Sequence, residues 1–345
     1  MNLAVFERGA KASALLVALA LVACGDGTVV LPARPVATPV PVPAASAVRY
    51  TAIGASDAVG YNASVPCANP PLVAVPTCPG GTGYVPDVAK SLGANGASVT
   101  LNDLGISGAV IGPDILAVGN SYGSQGSSAP CKPRTGSDVI PADFITNELP
   151  QLTGGETVVT IFAGGNDTNA IVNAAACQIA GGASQAVVSQ FVTTEITAFG
   201  NDFRNLALAI HTKSPNAKIV IANLPNFAGI PIAQQPALAS AKPLLQAVSV
   251  GIDTNVYQPA ATTFGIPVAD LLCNPASYAS ADFFPGPLAD GFHPNDTGYA
   301  ALAAALFAQI TAATPTLPLT SCPQRTLAGS ARAPLAGAIP AFDRR

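Results

Sequence analysis

Two patterns of apolar and polar positions alternate along this chain. Short β-branched runs bounded by turn residues predict strands at Ala47–Ile53, Thr157–Ala163 and Lys218–Ala222, a strand-like Ser98–Leu101, and a weaker strand at Ile266–Leu271. Thr157–Ala163 is apolar on both faces and lies between Gly154-Gly155 and Gly164-Gly165, the signature of a fully buried strand. Longer stretches with apolar residues at mixed three and four spacing predict helices over Val187–His211 and Leu238–Thr263. A third, Ala/Leu-rich helix is expected over Asp296–Ala312, capped by Asn295 or Asp296. Strands that alternate with helices specify an α/β domain whose parallel sheet is covered on both faces. Residues 60–86 and 112–141, rich in Pro, Gly, Ser and Cys, are expected as long loops beside the working face. No internal repeat and no shift in composition marks a second domain.

Composition narrows the picture. Of 345 residues 49% are hydrophobic and only 10% charged, the reverse of a disordered chain. The net charge of −4 leaves no electrostatic footprint for nucleic acid. The amino terminus stands apart. Arg8 and Lys11 precede the apolar run Ala12–Ala23, which is short for a membrane span, and Cys24 follows. Leu21-Val22-Ala23-Cys24 resembles a bacterial lipobox, in which the cysteine becomes the lipidated first residue. An ordinary signal peptide cut nearby, or a spanning anchor, are the other readings. Residues 1–23 are thus expected as a leader and 24–46 as a lipidated Cys24 with an extended tether. The prolines at 32, 35, 39, 41 and 43 fix φ and remove donors there. The domain is expected over 47–322, with a mobile Pro/Ala-rich tail at 323–345. Such a chain would sit in the cell envelope, anchored through lipid at the outer membrane or periplasmic face, or be secreted if Cys24 carries no lipid.

Apart from Cys24, six cysteines remain: Cys67, Cys78, Cys131, Cys177, Cys273 and Cys322. An even number in an exported chain points to disulfides, and Cys67 with Cys78 is the expected pair because it closes a short Pro-rich loop. Neither a CxxC pair nor more than two histidines is present, so no metal centre is expected. No Walker loop or metal-ligand cluster is present, and no cofactor is expected.

Four dispersed segments carry the candidate chemistry. Ser56, in Gly54-Ala55-Ser56-Asp57, stands where an apolar strand ends, at the carboxyl edge of the sheet where open α/β folds bind ligands. His293 follows Asp290 by three residues, close enough for the carboxylate to hold Nδ1–H and leave Nε2 facing Ser56. The other histidine, His211, ends a predicted helix, where a polar or cationic side chain suits the dipole. Asn166 follows a strand and two glycines, so its amide can point into a pocket as a donor for a developing oxyanion. Gly108, in Gly105-Ile106-Ser107-Gly108, and Ser56 itself could add backbone N–H donors. An α/β-hydrolase elbow is disfavoured because Ala58 replaces its second glycine. The 19 acidic residues are scattered without a candidate pair for glycoside hydrolysis.

In this order the four segments resemble the SGNH, or GDSL-type, esterase and lipase family over roughly residues 48–312. Gly164-Gly165-Asn166-Asp167 and Asp290-Gly291-Phe292-His293-Pro294 are the specific matches. The resemblance implies a flavodoxin-like three-layer α/β/α sandwich and a serine ester hydrolase. Ser56 would be the nucleophile, His293 the base and Asp290 its orienting group, with Ser56, Gly108 and Asn166 forming the oxyanion hole; Gly105 fits less well. One departure is plain: the family has Asp before the serine, where this chain has Ala55, and Asp57 follows instead. Lipid or simple carboxylic esters lead as substrates. A carbohydrate acetylesterase, an acyltransferase or a non-catalytic surface-binding lipoprotein are the alternatives.

Overall fold

The computed structural model describes residues 47–67, 78, 80–122, 131–136 and 139–327. The leader, Cys24, the tether and residues 328–345 lie outside the described residues.

Five parallel strands form one sheet: β1 (Ala47–Gly54), β2 (Ser98–Asp103), β3 (Val158–Phe162), β4 (Lys218–Ala222) and β5 (Val268–Ala269), in the order β2-β1-β3-β4-β5. This is the flavodoxin-like order, and its direction reverses between β1 and β3. Residues one apart on a strand face opposite layers, and the sequence honours this. Val48, Tyr50 and Ala52 on β1, Val158 on β3 and Val220 and Ala222 on β4 face one apolar layer. There α1 (Tyr84–Ala94) packs beside α7 (Asp296–Thr311). Ile53, Val159, Ile161 and Ile221 face the other layer. It is covered by α2 (Pro113–Tyr122), α3 (Gly165–Ala180), α4 (Gln185–Lys213) and α5 (Lys242–Ile252). Thr160 stays buried because its hydroxyl pairs with the Tyr50 hydroxyl at 2.9 Å. The expected three-layer α/β/α sandwich is the observed architecture.

The differences are local. The helix expected over Leu238–Thr263 is segmented: a 3₁₀ stretch at Pro236–Ala241, α5, a π turn at Asp253–Tyr257 and α6 (Gln258–Phe264). Prolines at 236, 243 and 259, which lack an N–H donor, account for part of that segmentation. The stretch 112–141 is not all loop, since Pro113 opens α2, where its missing N–H leaves nothing unpaired. The strand at Ile266–Leu271 shrinks to two residues at the sheet edge. As expected from sequence, Asn295 caps α7, accepting from Thr297 and Gly298 N–H at 3.0 and 3.1 Å.

Among the described residues three disulfides are present: Cys67–Cys78, as expected, Cys131–Cys177 and Cys273–Cys322. Beyond the last one, residues 323–327 lie against the domain: Arg325 reaches the buried Asp253 carboxylate at 2.8 Å, and Asn226 donates to Gln324 O at 2.8 Å. Among the described residues no helix is long and apolar enough to cross a membrane.

Candidate active site

Strand β1 delivers its last residues into a tight turn. Ala58 and Val59 N–H both reach Ala55 O, and Tyr61 N–H reaches Ser56 O at 2.9 Å. Ser56 is only 3% exposed. Its Oγ lies 2.9 Å from His293 Nε2, across 237 residues of sequence. His293 is equally buried, and its Nδ1 lies 2.6 Å from Asp290 Oδ2. The other carboxylate oxygen accepts the N–H groups of Phe292 and His293 at 2.8 and 2.9 Å. A carboxylate placed against Nδ1 favours the tautomer with its proton there, leaving Nε2 to accept from Ser56. Burial pushes the Asp290 carboxyl up, but the hydrogen bond and charge of His293 and the two N–H donors outweigh it, so it stays below the usual carboxylate range.

The second half of the site comes from β3. Gly164 turns out of the strand at φ +103°, and a side chain there would strike Leu224. α3 then starts at Gly165 and places Asn166 in its first turn. Asn166 Nδ2 donates to Ala109 O at 2.9 Å. An amide nitrogen carries two hydrogens, so one remains for a ligand. Next to it, Asp167 Oδ1 accepts from Ile111 N–H at 2.9 Å. These two bonds join the start of α3 to the loop after β2, where Gly108 adopts φ +82°. No acceptor is found for the N–H of Ser56 or of Gly108 among the described residues. Ser56 and Asn166 line one cleft, together with Ala109; Gly108, Asp290 and His293 do not line it. The two loops flank the reversal between β1 and β3, where an open sheet leaves a crevice.

The cleft encloses about 880 Å³, its open mouth included. Its walls are mainly apolar: Phe162, Leu224, Phe227, Ile230, Phe283 and Phe292 contribute, as do Gly298, Ala301 and Leu302 of α7. Two ionisable side chains belong to the lining, Asp57 and Asp282, and burial raises both carboxyls above their ordinary value. Among the described residues no group of His, Cys, Asp and Glu has the arrangement to hold a metal ion. His211 ends α4, away from these contacts.

Sequence reasoning passed over two residues. Glu148 is fully buried, and its Oε2 accepts Gly54 N–H at 3.0 Å, directly beneath the turn in which Ala55 stands in place of an acid. Asn62, 3% exposed, donates to His293 O. The available signal was sparse polarity: Glu148 is a lone acid beside the apolar Phe144, Ile145 and Leu149, and Asn62 comes six residues after Ser56.

A hydrogen-bonded Ser–His–Asp series at the carboxyl edge of a flavodoxin-like sheet defines the general class, an α/β protein with a triad-type site. The particular family follows from comparison with known proteins. The model of the GDSL-like Lipase/Acylhydrolase family matches residues 52–301, a span that contains all four motifs, and the chain belongs to that family. Among solved structures it is similar to an extracellular lipase from Streptomyces rimosus, at 17% identity over 75% of this chain and 98% of that one, with a TM-score of 0.47. It is also similar to phospholipase A1 from Streptomyces albidoflavus, at 15% identity over 77% of this chain and 100% of that one, TM-score 0.46. A family 2 carbohydrate esterase from Corynascus thermopiles shares 20% identity over 79% of this chain and 68% of that one, TM-score 0.41. No curated protein matches the chain.

Proposed function

We propose that this protein is a serine carboxylic-ester hydrolase acting through an acyl-serine intermediate. The observation that carries the reading is the continuous series from Ser56 Oγ, which lines the cleft, through both ring nitrogens of His293 to Asp290, with bonds of 2.9 and 2.6 Å. In this scheme Ser56 Oγ attacks the ester carbonyl carbon while Nε2 takes its proton. The negative charge on the carbonyl oxygen is met by Ser56 N–H, Gly108 N–H and the spare hydrogen of Asn166. Collapse of the adduct breaks the acyl–oxygen bond, and His293 returns the proton to the leaving alcohol. Water, deprotonated by His293, then releases the acid. Asp290 keeps the proton on Nδ1 and stabilises the imidazolium.

An apolar wall of phenylalanine and leucine favours an acyl chain longer than acetyl, because each buried methylene gains about 0.8 kcal/mol. Lipid or simple carboxylic esters are therefore the proposed substrates. Hydrolysis of p-nitrophenyl esters from acetyl to palmitoyl, by the wild type and Ser56→Ala in parallel, tests both parts. We expect the variant to lose at least about 10³-fold in kcat and the wild type to prefer a chain beyond acetyl. Equal rates in the two proteins would remove Ser56 from the mechanism, and an acetyl optimum would turn the substrate reading toward carbohydrate acetylesters. Three disulfides suit a site of action outside the reducing cytosol. Lipidation at Cys24 completes the proposal, and its absence after growth with a labelled fatty acid would leave a secreted form.

A further inference from the structure

We propose that Asn62 is a positioning residue that sets the distance between the nucleophile turn and the histidine loop; this rests on the serine-hydrolase reading above. Ser56 and His293 belong to segments 237 residues apart, and nothing local holds them at 2.9 Å. Asn62 bridges them with both ends of one amide. Its Nδ2 donates to the carbonyl of His293 itself at 2.9 Å, and its Oδ1 accepts from Leu288 N–H at 2.7 Å. Those two contacts bracket Asp290, so a single side chain grips the loop on both sides of the Asp–His pair.

The surroundings show that this contact is built in. Asn62 is buried and holds φ +75°, a left-handed conformation that asparagine adopts more readily than other non-glycine residues. Gly286 lies so close that a Cβ there would fall 2.6 Å from both amide heteroatoms of Asn62. Just before it, the ring of Tyr61 packs edge-on against the His293 ring, 4.8 Å between centroids, and Tyr61 O accepts from the Tyr299 hydroxyl at 2.6 Å. Just after it, Ser64 donates through N–H and Oγ to Asp296, at the start of α7. The segment that follows the nucleophile is thus fastened to the segment that carries the base. Asn62 is its link to the backbone of His293.

The consequence is kinetic. A displacement of about 1 Å between reacting groups can lower the rate about 10²-fold. Asn62→Ala and Asn62→Gly are therefore expected to lower kcat about 10- to 100-fold with KM within about twofold. Rates are counted per serine labelled by a fluorophosphonate, so that unfolded protein is excluded. Asn62→Gly also relieves the left-handed backbone, so a role in stability alone would leave its kcat per labelled site at the wild-type level. Gly286→Ala pushes on the clamp without altering Asn62 and is expected to lower kcat in the same way. It keeps the question answerable if the Asn62 variants fail to fold. Wild-type kcat per labelled site in the folded variants, with Ser56→Ala inactive, would overturn the clamp alone. A fully active Ser56→Ala would overturn the hydrolase reading and the clamp together.

Discussion

Asp290 and Asp167 both come from the most specific motifs of this chain, and both stand beside a candidate site residue, yet their environments push them in opposite directions. Asp290 faces His293 and two N–H donors, and its carboxyl is held below the ordinary range. Asp167 is buried, with Oδ1 accepting from Ile111 N–H and its other oxygen lacking a hydrogen-bond partner, and burial, with Asp202 nearby, pushes it up to about 7. Asp103, beside the Gly105–Gly108 loop, is likewise pushed up to about 7, and Glu148, under the Ser56 turn, well above its usual value. Burial favours the neutral acid, and only a partner of opposite charge or several donors reverse that preference. Surroundings thus divide the carboxyls: His293 and two N–H donors hold Asp290 below its ordinary range, and burial pushes Asp103, Asp167 and Glu148 above theirs.

The largest effect that would break this comparison is on catalysis. Asp290→Asn should lower kcat about 10³–10⁴-fold, because an amide no longer fixes the proton on Nδ1. Steady-state rates on the preferred p-nitrophenyl ester measure it, and a loss under about tenfold would show that His293 is oriented without Asp290.

The next effect is on stability against pH. Folded Asp103 and Asp167 hold their protons until about pH 7, whereas in the unfolded chain they release them near the ordinary value of about 3.9. Between those limits the native state binds more protons, so their contribution falls as pH rises from about 4 through 7. Asp290 has the opposite sign: its stabilisation is complete above the unfolded pKa and is lost only as pH falls through its lower folded value. Thermal melts from pH 5 to 8 should therefore show Tm declining with pH, and Asp167→Asn should flatten the decline. The same slope in the variant would place Asp167 with Asp290 among the ionised group.

The smallest effect expected is at Glu148. Burial pushes the Glu148 carboxyl toward its protonated form, which an amide resembles, so Glu148→Gln should change stability by no more than about 1 kcal/mol. Glu148→Ala removes the acceptor of Gly54 N–H and opens a void, which should destabilise by about 2–4 kcal/mol. Urea titrations compare the two, and a glutamine variant as damaged as the alanine would mean that Glu148 is charged when folded.

Much of this was readable from the chain. Strands β3 and β4 declare themselves because a buried parallel strand favours a β-branched run, and α7 because Asn295 precedes an Ala/Leu-rich segment. α3 was not legible, since Gly164-Gly165-Asn166-Asp167 reads equally as a turn, and only the docking of 165–180 against α2 and α4 decides for a helix. The contacts of residues 323–327 were hidden for a similar reason, since Arg325 meets Asp253 only in the folded chain.

The sequence by itself determined the layered α/β class, the family, and the residue types and order of the candidate site, because periodicity and short motifs are local properties. The tertiary structure decided what those residues meet. Ser56 and His293 come together at the reversal between β1 and β3, the cysteines beyond the first pair find their partners, and Asn62 and Glu148 acquire their roles beneath the loops. Burial, cross-links and opposed hydrogen bonds join segments 46 to 237 residues apart, so no local pattern could announce them.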